Sequence, residues 1–434
     1  NNQVIIRDEN GKYQLNKDKE ALKSYLEDYI EPKMKKFDNL NDRLNYLVEN
    51  DYYSKEILDL YDQYVIDVIY DFIRAKNFKF QSYMSASKFY QNYALKSNDG
   101  EEILENYEDK VLIVALTLGN GEPKLAKDIA EKLINQEFQP ATPTFLNAGR
   151  ARGGKMVSCF LVNVEDSCEG ISYAVSSANH LSKIGGGVAL NLTRLRASGE
   201  SIKGIKGAAG GVMGVAKLLE QSFSYFNQMG ARQGAGAVYL NVLHPDFETL
   251  LDSKKINADE KIRLTTLSIG AIIPDKFMEL AEKNEKCYAF YPHSIYQKYG
   301  VHLDGIKMDE WYDKLANDDE IEKKEINPRE LLTRIAQTQQ ESGYPYVVFI
   351  DSANEQHTLK DVGMIKMSNL CCEIFQYQTP SDIKGYGQVS DWGQDISCNL
   401  GSLNIANVMD NKDIEKTIDV AIRALTYVSD NTNI

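Results

Sequence analysis

From Gln139 onward the chain alternates short β-prone runs with amphipathic stretches, joined by glycine-rich turns. This alternation narrows the choice of fold, because strands separated by helices assemble as βαβ units with a largely parallel sheet. Period-two and β-branched runs predict strands at Ser158 to Val164, Val188 to Leu192, Val238 to Val242, Leu264 to Ile273 and Tyr346 to Ile350. Helices are expected at Ile171 to Lys183, Gly211 to Asn227 and Pro328 to Ser342. Asn327 would cap the last of these and Pro328 would occupy its first turn. The charged stretch Asn317 to Asn327 reads as a surface connection.

Residues 17 to about 136 have a different texture. Apolar residues recur at spacings of three and four: Leu22, Tyr25, Leu26 and Tyr29, then Ile57, Leu60, Tyr61, Tyr64, Val65 and Val68, then Val111, Leu112, Val114 and Ala115. Gly119 to Pro123 supplies a stop and a restart. The expected organisation is a helical domain over 1–138 and an α/β domain over 139–434.

At 434 residues the chain can bury a large core. Its 63 acidic residues outweigh 49 basic ones, a net charge of −14, which disfavours a general nucleic-acid or membrane surface. No run approaches the roughly 18 to 20 apolar residues of a membrane span, and no charged-then-apolar leader opens the sequence. Six cysteines without a secretory signal point to a reducing compartment, so a cytoplasmic location is expected.

Three of those cysteines carry the chemistry. Cys371 lies in Asn369-Leu370-Cys371-Cys372-Glu373, Cys159 in Val157-Ser-Cys-Phe-Leu161, and Cys398 in Ile396-Ser-Cys-Asn-Leu-Gly401. Three thiols beside an amide and a carboxylate can supply a hydrogen-atom abstractor, a two-electron reductant and a general base. Zinc is the rival use. It is disfavoured because no Cys-x2-Cys spacing occurs and no histidine lies within a few residues of any cysteine. A simple dithiol oxidoreductase would need Cys-x-x-Cys and fails on the same count.

These segments resemble the large (alpha) subunit of ribonucleotide reductase. The resemblance continues through Gln139-Pro-Ala-Thr-Pro-Thr-Phe-Leu-Asn-Ala-Gly149, Ile184-Gly-Gly-Gly-Val188 and Met229-Gly-Ala-Arg-Gln-Gly-Ala-Gly236. It favours the class Ib branch, with no complete N-terminal ATP cone. A class II adenosylcobalamin enzyme is less similar, since its loop more often has proline where Leu370 stands. The fold implied is a ten-stranded α/β barrel of two five-stranded halves with a central finger loop. On that map the chain holds the helical domain, the first half, the finger loop and the start of the second half. The missing half is expected from another polypeptide, unless the chain is a fragment or a non-catalytic nucleotide-binding remnant.

The resemblance also implies residue roles. Cys371 would become the thiyl radical that abstracts hydrogen from C3′ of a ribose. Glu373 would act as general base and Asn369 would hold the ribose hydroxyls. On an extended segment, positions 369, 371 and 373 would share one side. Cys372 would then face away, with no catalytic role, although the whole run Asn369, Leu370, Cys371, Cys372 and Glu373 falls within the implied substrate contact. Cys159 and Cys398 would protonate the departing 2′-hydroxyl and supply two electrons as they become a disulfide, which requires Cα atoms within about 7 Å. Thr142, Ser158, Cys159 and Gly187 complete the implied substrate site. A glycine at position 187 would allow close approach, although a tight turn would ask for glycine as well.

Asp166, Arg196 and Arg232 match positions that bind a deoxynucleoside triphosphate or ATP as allosteric effector. The stretches 197–206 and 228–236 would be mobile specificity loops, with Arg194, Lys203 and Lys206 also placed to meet phosphates or a base. No cofactor or metal is expected on this chain. The implied partners are a second alpha copy, a separate beta subunit with a metal-radical cofactor, and a thioredoxin- or glutaredoxin-like reductant.

Overall fold

A computed structural model of the chain describes residues 3–7, 9–227, 233–385 and 388–432. They form two compact units, 1–158 with 399–434, and 159–398.

The first unit opens with an antiparallel hairpin, Gln3–Arg7 against Tyr13–Lys17, where the sequence had suggested no element. Its centre is the helix Tyr107–Gly119, buried along nearly its whole length. Asn106 and Asp109 form a capping box at its start, and Asn120 closes its end in the left-handed conformation. Pro123 then begins Pro123–Ile134, as the stop-and-restart signal predicted. The apolar run through Ile57 and Val68 is two helices, Lys55–Leu58 and Gln63–Ala75. Tyr61 fills the break, with its hydroxyl donating to Leu116 O and accepting from Gly121 N, both at 2.8 Å. Strand Gly401–Leu403 pairs with Phe138–Pro140. Helix Ile414–Asp430 packs on Tyr107–Gly119 and Pro123–Ile134. At that contact the buried Glu137 accepts from Lys132 Nζ (2.8 Å), Asn411 Nδ2 (2.7 Å) and Thr417 Oγ1 (3.0 Å).

The second unit is built on a six-stranded sheet. Its strands are β1 Cys159–Asn163, β2 Gly187–Asn191, β3 Gly236–Asn241, β4 Ser268–Ile273, β5 Tyr346–Phe349 and β6 Ile396–Cys398. The spatial order is β5-β4-β3-β2-β1-β6, with β1 to β5 parallel and β6 antiparallel to β1. This is the five-stranded first half of an α/β barrel plus one strand. β1 to β4 are buried at every residue, the pattern of a parallel sheet covered on both faces. The three expected helices are present as Cys168–Lys183, Val212–Tyr225 and Pro328–Ser342, and Asn327 caps the last through Glu330 N.

Two expectations need correcting. The strand predicted from Leu264 begins only at Ser268, because Glu220 Oε1 accepts from the main-chain N–H groups of Thr265, Thr266 and Leu267 and holds them off the ladder. The stretch 317–327 is not merely a connection. Lys323–Ile326 pairs antiparallel with Cys287–Phe290, a charged two-stranded ribbon with little apolar signal of its own. Helices Asp275–Lys283, Pro292–Tyr299 and Met308–Ala316 fill the chain between β4 and that ribbon's second strand.

One face of the sheet carries Leu161, Ala189, Ala237, Tyr239, Ile272 and Val348, all nearly or fully buried. Met367, Leu370, Cys372 and Phe375 pack against it from the 364–375 loop. The sheet therefore serves as the floor under the thiol loop.

Candidate active site under the thiol loop

Cys159 begins β1 and Cys398 ends β6, and the two are directly opposed in the antiparallel register. Opposed residues in such a pair have Cα atoms about 4.5 to 5.5 Å apart, inside the span a disulfide needs. Both are buried, and among the described residues no disulfide is formed. The Cys398 thiol is pushed far above the ordinary thiol range, first by its hydrogen bond with Cys159 and then by burial. The pair is thus held as thiols, side by side.

Asn369 links this pair to the loop. Its side-chain nitrogen donates to Glu373 Oε1 at 2.8 Å and lies 3.4 Å from Cys159 Sγ. Its side-chain oxygen accepts from Glu373 N (2.9 Å) and Ile374 N (3.0 Å). The segment is therefore a turn, not the extended run expected. Cys372 N donates to Asn369 O at 3.1 Å, and Cys372 takes a left-handed φ of 65°. Asn369 and Glu373 still meet, but across the turn instead of along one side of a strand. The turn leaves Cys371 exposed and turns Cys372 inward, where its thiol lies 3.4 Å from Val347 O and burial raises its pKa.

Two residues that sequence reasoning missed hold the turn. Tyr239 Oη donates to Asn369 O at 2.7 Å from the middle of β3. Ser368 Oγ donates to Ile374 O at 2.8 Å. Tyrosine inside an otherwise aliphatic buried strand was the available signal, since a buried hydroxyl needs a partner. Glycines make room for both layers. A Cβ on Gly270 would lie 2.3 Å from the Tyr239 ring, and one on Gly187 would lie 2.6 Å from Leu370 Cδ2. The space above Gly187 is thus taken by the thiol loop itself.

Thr142 and Ser158 belong to the first unit. Thr142 starts the helix Thr142–Asn147, with its hydroxyl 3.0 Å from Tyr93 Oη. Ser158 is buried, and its hydroxyl has no hydrogen-bond partner there.

Asp166 and Arg196 are brought together. Arg196 Nε donates to Asp166 Oδ2 at 2.6 Å and Arg196 N to Oδ1 at 3.1 Å. The pair stands between two cavities. One, of about 400 Å³, is bordered by His293, Tyr296 and His302. The other, of about 460 Å³, is bordered by Ile171, Ile202, Ala209 and Val215. Arg194 also borders the first cavity, and its guanidinium is held by ion pairs with Asp304 (2.8 Å) and Glu165. Arg232 and residues 228–231 of the second loop lie outside the described residues. Among the described residues no cluster of three His, Cys, Asp or Glu side chains is placed to hold a metal. Among the described residues no helix is long and apolar enough to cross a membrane.

Residues 157–434 match the family described as "Ribonucleotide reductase, barrel domain". The chain belongs to the ribonucleotide reductase large-subunit family. Residues 79–153 match the family's all-alpha domain, and residues 1–78 match its N-terminal region. It is 51% identical over 434 residues to the ribonucleoside-diphosphate reductase subunit alpha of Bacillus subtilis (strain 168), covering 100% of this chain and 62% of the relative. The subunit alpha of Mycoplasma genitalium is 45% identical over 413 residues, covering 95% of this chain and 57% of the relative. The chain thus spans less than two thirds of the length of these relatives.

Proposed function

We propose that this chain contributes the thiol-bearing part of the alpha subunit of a class Ib ribonucleoside-diphosphate reductase, reducing ribonucleoside diphosphates to 2′-deoxyribonucleoside diphosphates for DNA synthesis. The observation that carries this reading is the opposition of Cys159 and Cys398, with Asn369 bridging from Cys159 to Glu373. The names of the relatives point the same way.

On this reading Cys371, exposed at the turn, removes the C3′ hydrogen atom as a thiyl radical. Glu373 accepts the 3′-hydroxyl proton as general base, and Asn369 orients the hydroxyls. Cys159 and Cys398 supply two protons and two electrons: one proton joins the 2′-hydroxyl, which leaves as water, and the other proton and both electrons end as the new hydrogen on C2′. The two sulfurs join as a disulfide, and Glu373 returns its proton to the 3′-oxygen. Cys371 then returns its hydrogen to C3′ and is regenerated as a radical. Buried neutral thiols suit this role, because protons must travel with the electrons. The resulting disulfide needs an external thiol to exchange with it before the next cycle. A separate beta subunit would supply the oxidising equivalent through its metal-radical cofactor.

Thr142 and Ser158 are proposed to hold the diphosphate through hydroxyl and main-chain donors, and Gly187 to line the site beneath Leu370. Asp166, Arg196 and Arg232 are proposed effector contacts for a deoxynucleoside triphosphate or ATP. The alpha-alpha dimer, the beta subunit, a polypeptide completing the barrel, the thioredoxin- or glutaredoxin-like reductant and the cytoplasmic location belong to the same proposal. A second reading, nucleotide binding without catalysis, is favoured by one observation: Asp166, Arg196 and both cavities lie within 159–398 alone.

The deciding experiment mixes the chain with a polypeptide spanning the remainder of a class Ib alpha subunit, together with a beta subunit, dithiothreitol and radiolabelled CDP. Formation of deoxycytidine diphosphate that disappears with Cys371→Ala supports the reductase. Effector binding with no product in any combination supports the binding module.

A further inference from the structure

The loop 197–206 that borders the 460 Å³ cavity is not uniformly free. Its tip is a small exposed turn in which Ile202 and Ile205 exchange main-chain hydrogen bonds, with Ile205 67% exposed. Its base is held by two carboxylates. Asp246 accepts from Ser198 N and Val212 N (3.1 and 3.0 Å). Glu200, only 2% exposed, accepts from Ala197 N at 2.7 Å and, across to another element, from His293 N (3.1 Å) and Ser294 N (3.4 Å) in the first turn of Pro292–Tyr299. All of its donors are main-chain N–H groups. A buried carboxylate satisfied this way has a geometric task, because each donor it loses is left without a partner in the interior.

We infer that Glu200 is a positioning residue for effector binding: its carboxylate fastens the base of loop 197–206 to helix Pro292–Tyr299 and so sets the wall of the cavity lined by Ile202, Ala209 and Arg196. This deepens the proposed function and rests on its reading of that loop as an effector contact.

The arrangement is proton-sensitive. Burial pushes the Glu200 carboxyl up to about 7. Above that pH the ionised group accepts all three N–H donors. Below it, one oxygen of the protonated group becomes a hydrogen-bond donor and accepts less well from those N–H groups. The other groups in this neighbourhood are Asp166 and Arg196 beside the loop, Tyr291 and His293 on the helix side, His244 and Asp246 after β3, and Glu322 and Lys324 on the ribbon. Burial lowers the pKa of both His293 and His244, so these rings are neutral near pH 7.

The test is equilibrium binding of dATP and dTTP to the chain between pH 6 and 8.5, for the unmodified protein, Glu200→Gln and Glu200→Ala, with Asp166→Ala as reference. The unmodified chain should bind more weakly as pH falls through about 7. Glu200→Gln should lose about fivefold or more in affinity at pH 8 and show a flat profile. Equal affinity and equal pH profile for Glu200→Gln and the unmodified chain, with Asp166→Ala defective, would overturn the inference and leave the effector reading standing. Failure of Asp166→Ala to weaken binding would remove both. Should the Glu200 variants not fold, a flat pH profile in the unmodified chain is itself the overturning result.

Discussion

The side-chain nitrogen of Asn369 donates to Glu373 Oε1 at 2.8 Å, while the oxygen of the same amide caps the main-chain nitrogens of residues 373 and 374. One fully buried amide therefore both shapes the turn and orients its carboxylate. Asn369→Ala would leave two main-chain donors without acceptors, which costs about 2 to 4 kcal/mol. Thermal unfolding should show the midpoint lowered by several degrees, and an unchanged midpoint would show that the turn is held by other contacts.

Thiol accessibility should divide the cysteines sharply. Cys168 and Cys371 are exposed, whereas Cys159, Cys287 and Cys398 are buried. Burial also drives Cys287 up to about 11. Alkylation requires the thiolate, so iodoacetamide at pH 8 should label Cys168 and Cys371 first. Peptide mass mapping at short times checks this, and early labelling of Cys398 would contradict the packing of β6 on β1.

Within the reconstituted reductase, Cys371→Ala should abolish deoxynucleotide formation and leave triphosphate binding near the unmodified level. Cys398→Ser should remove the capacity for repeated turnover, since no Cys159–Cys398 disulfide can form. Rapid-quench product counting separates the two variants. Sustained multiple turnover by Cys398→Ser would exclude the pair as the reductant.

Lys110 gives the helical unit a pH dependence. Burial lowers its amine from the ordinary range to about 7, with Nζ donating to Leu146 O at 3.1 Å. A lysine pKa depressed on folding means that the unfolded chain binds the extra proton between about pH 7 and 10.5, so this contribution to stability is lost as pH falls through that window. Lys110→Met should flatten the dependence. Urea unfolding at pH 7 and pH 9.5 provides the comparison.

The strand-helix alternation after Gln139 was legible because four of the five parallel strands are buried on both faces and so must be largely apolar runs, which stand out against polar turns. The N-terminal hairpin was not, as Val4, Ile5, Ile6, Tyr13 and Leu15 are all exposed and show no clean inward pattern. The ribbon strand Lys323–Ile326 was hidden by its charges. At the site, the cysteines, Asn369 and Glu373 could be named from the motif, but the turn that joins them could not, because it depends on a left-handed residue that is not glycine and on a hydroxyl from β3. Arg194 shows the opposite limit. Its position in the chain suggested a ligand contact, and only the fold reveals the ion pair that Asp304, distant in sequence, makes with it.

The two bare positions in the sheet, Gly187 under Leu370 and Gly270 under the Tyr239 ring, act as the mould in which the loop is cast. A single methyl added at Gly187 would meet Leu370 Cδ2 at 2.6 Å, and one at Gly270 would meet the Tyr239 ring at 2.3 Å, so a side chain that seats the turn would have to shift. The reach of the Cys371 sulfur is in this sense dimensioned by what two distant strands lack.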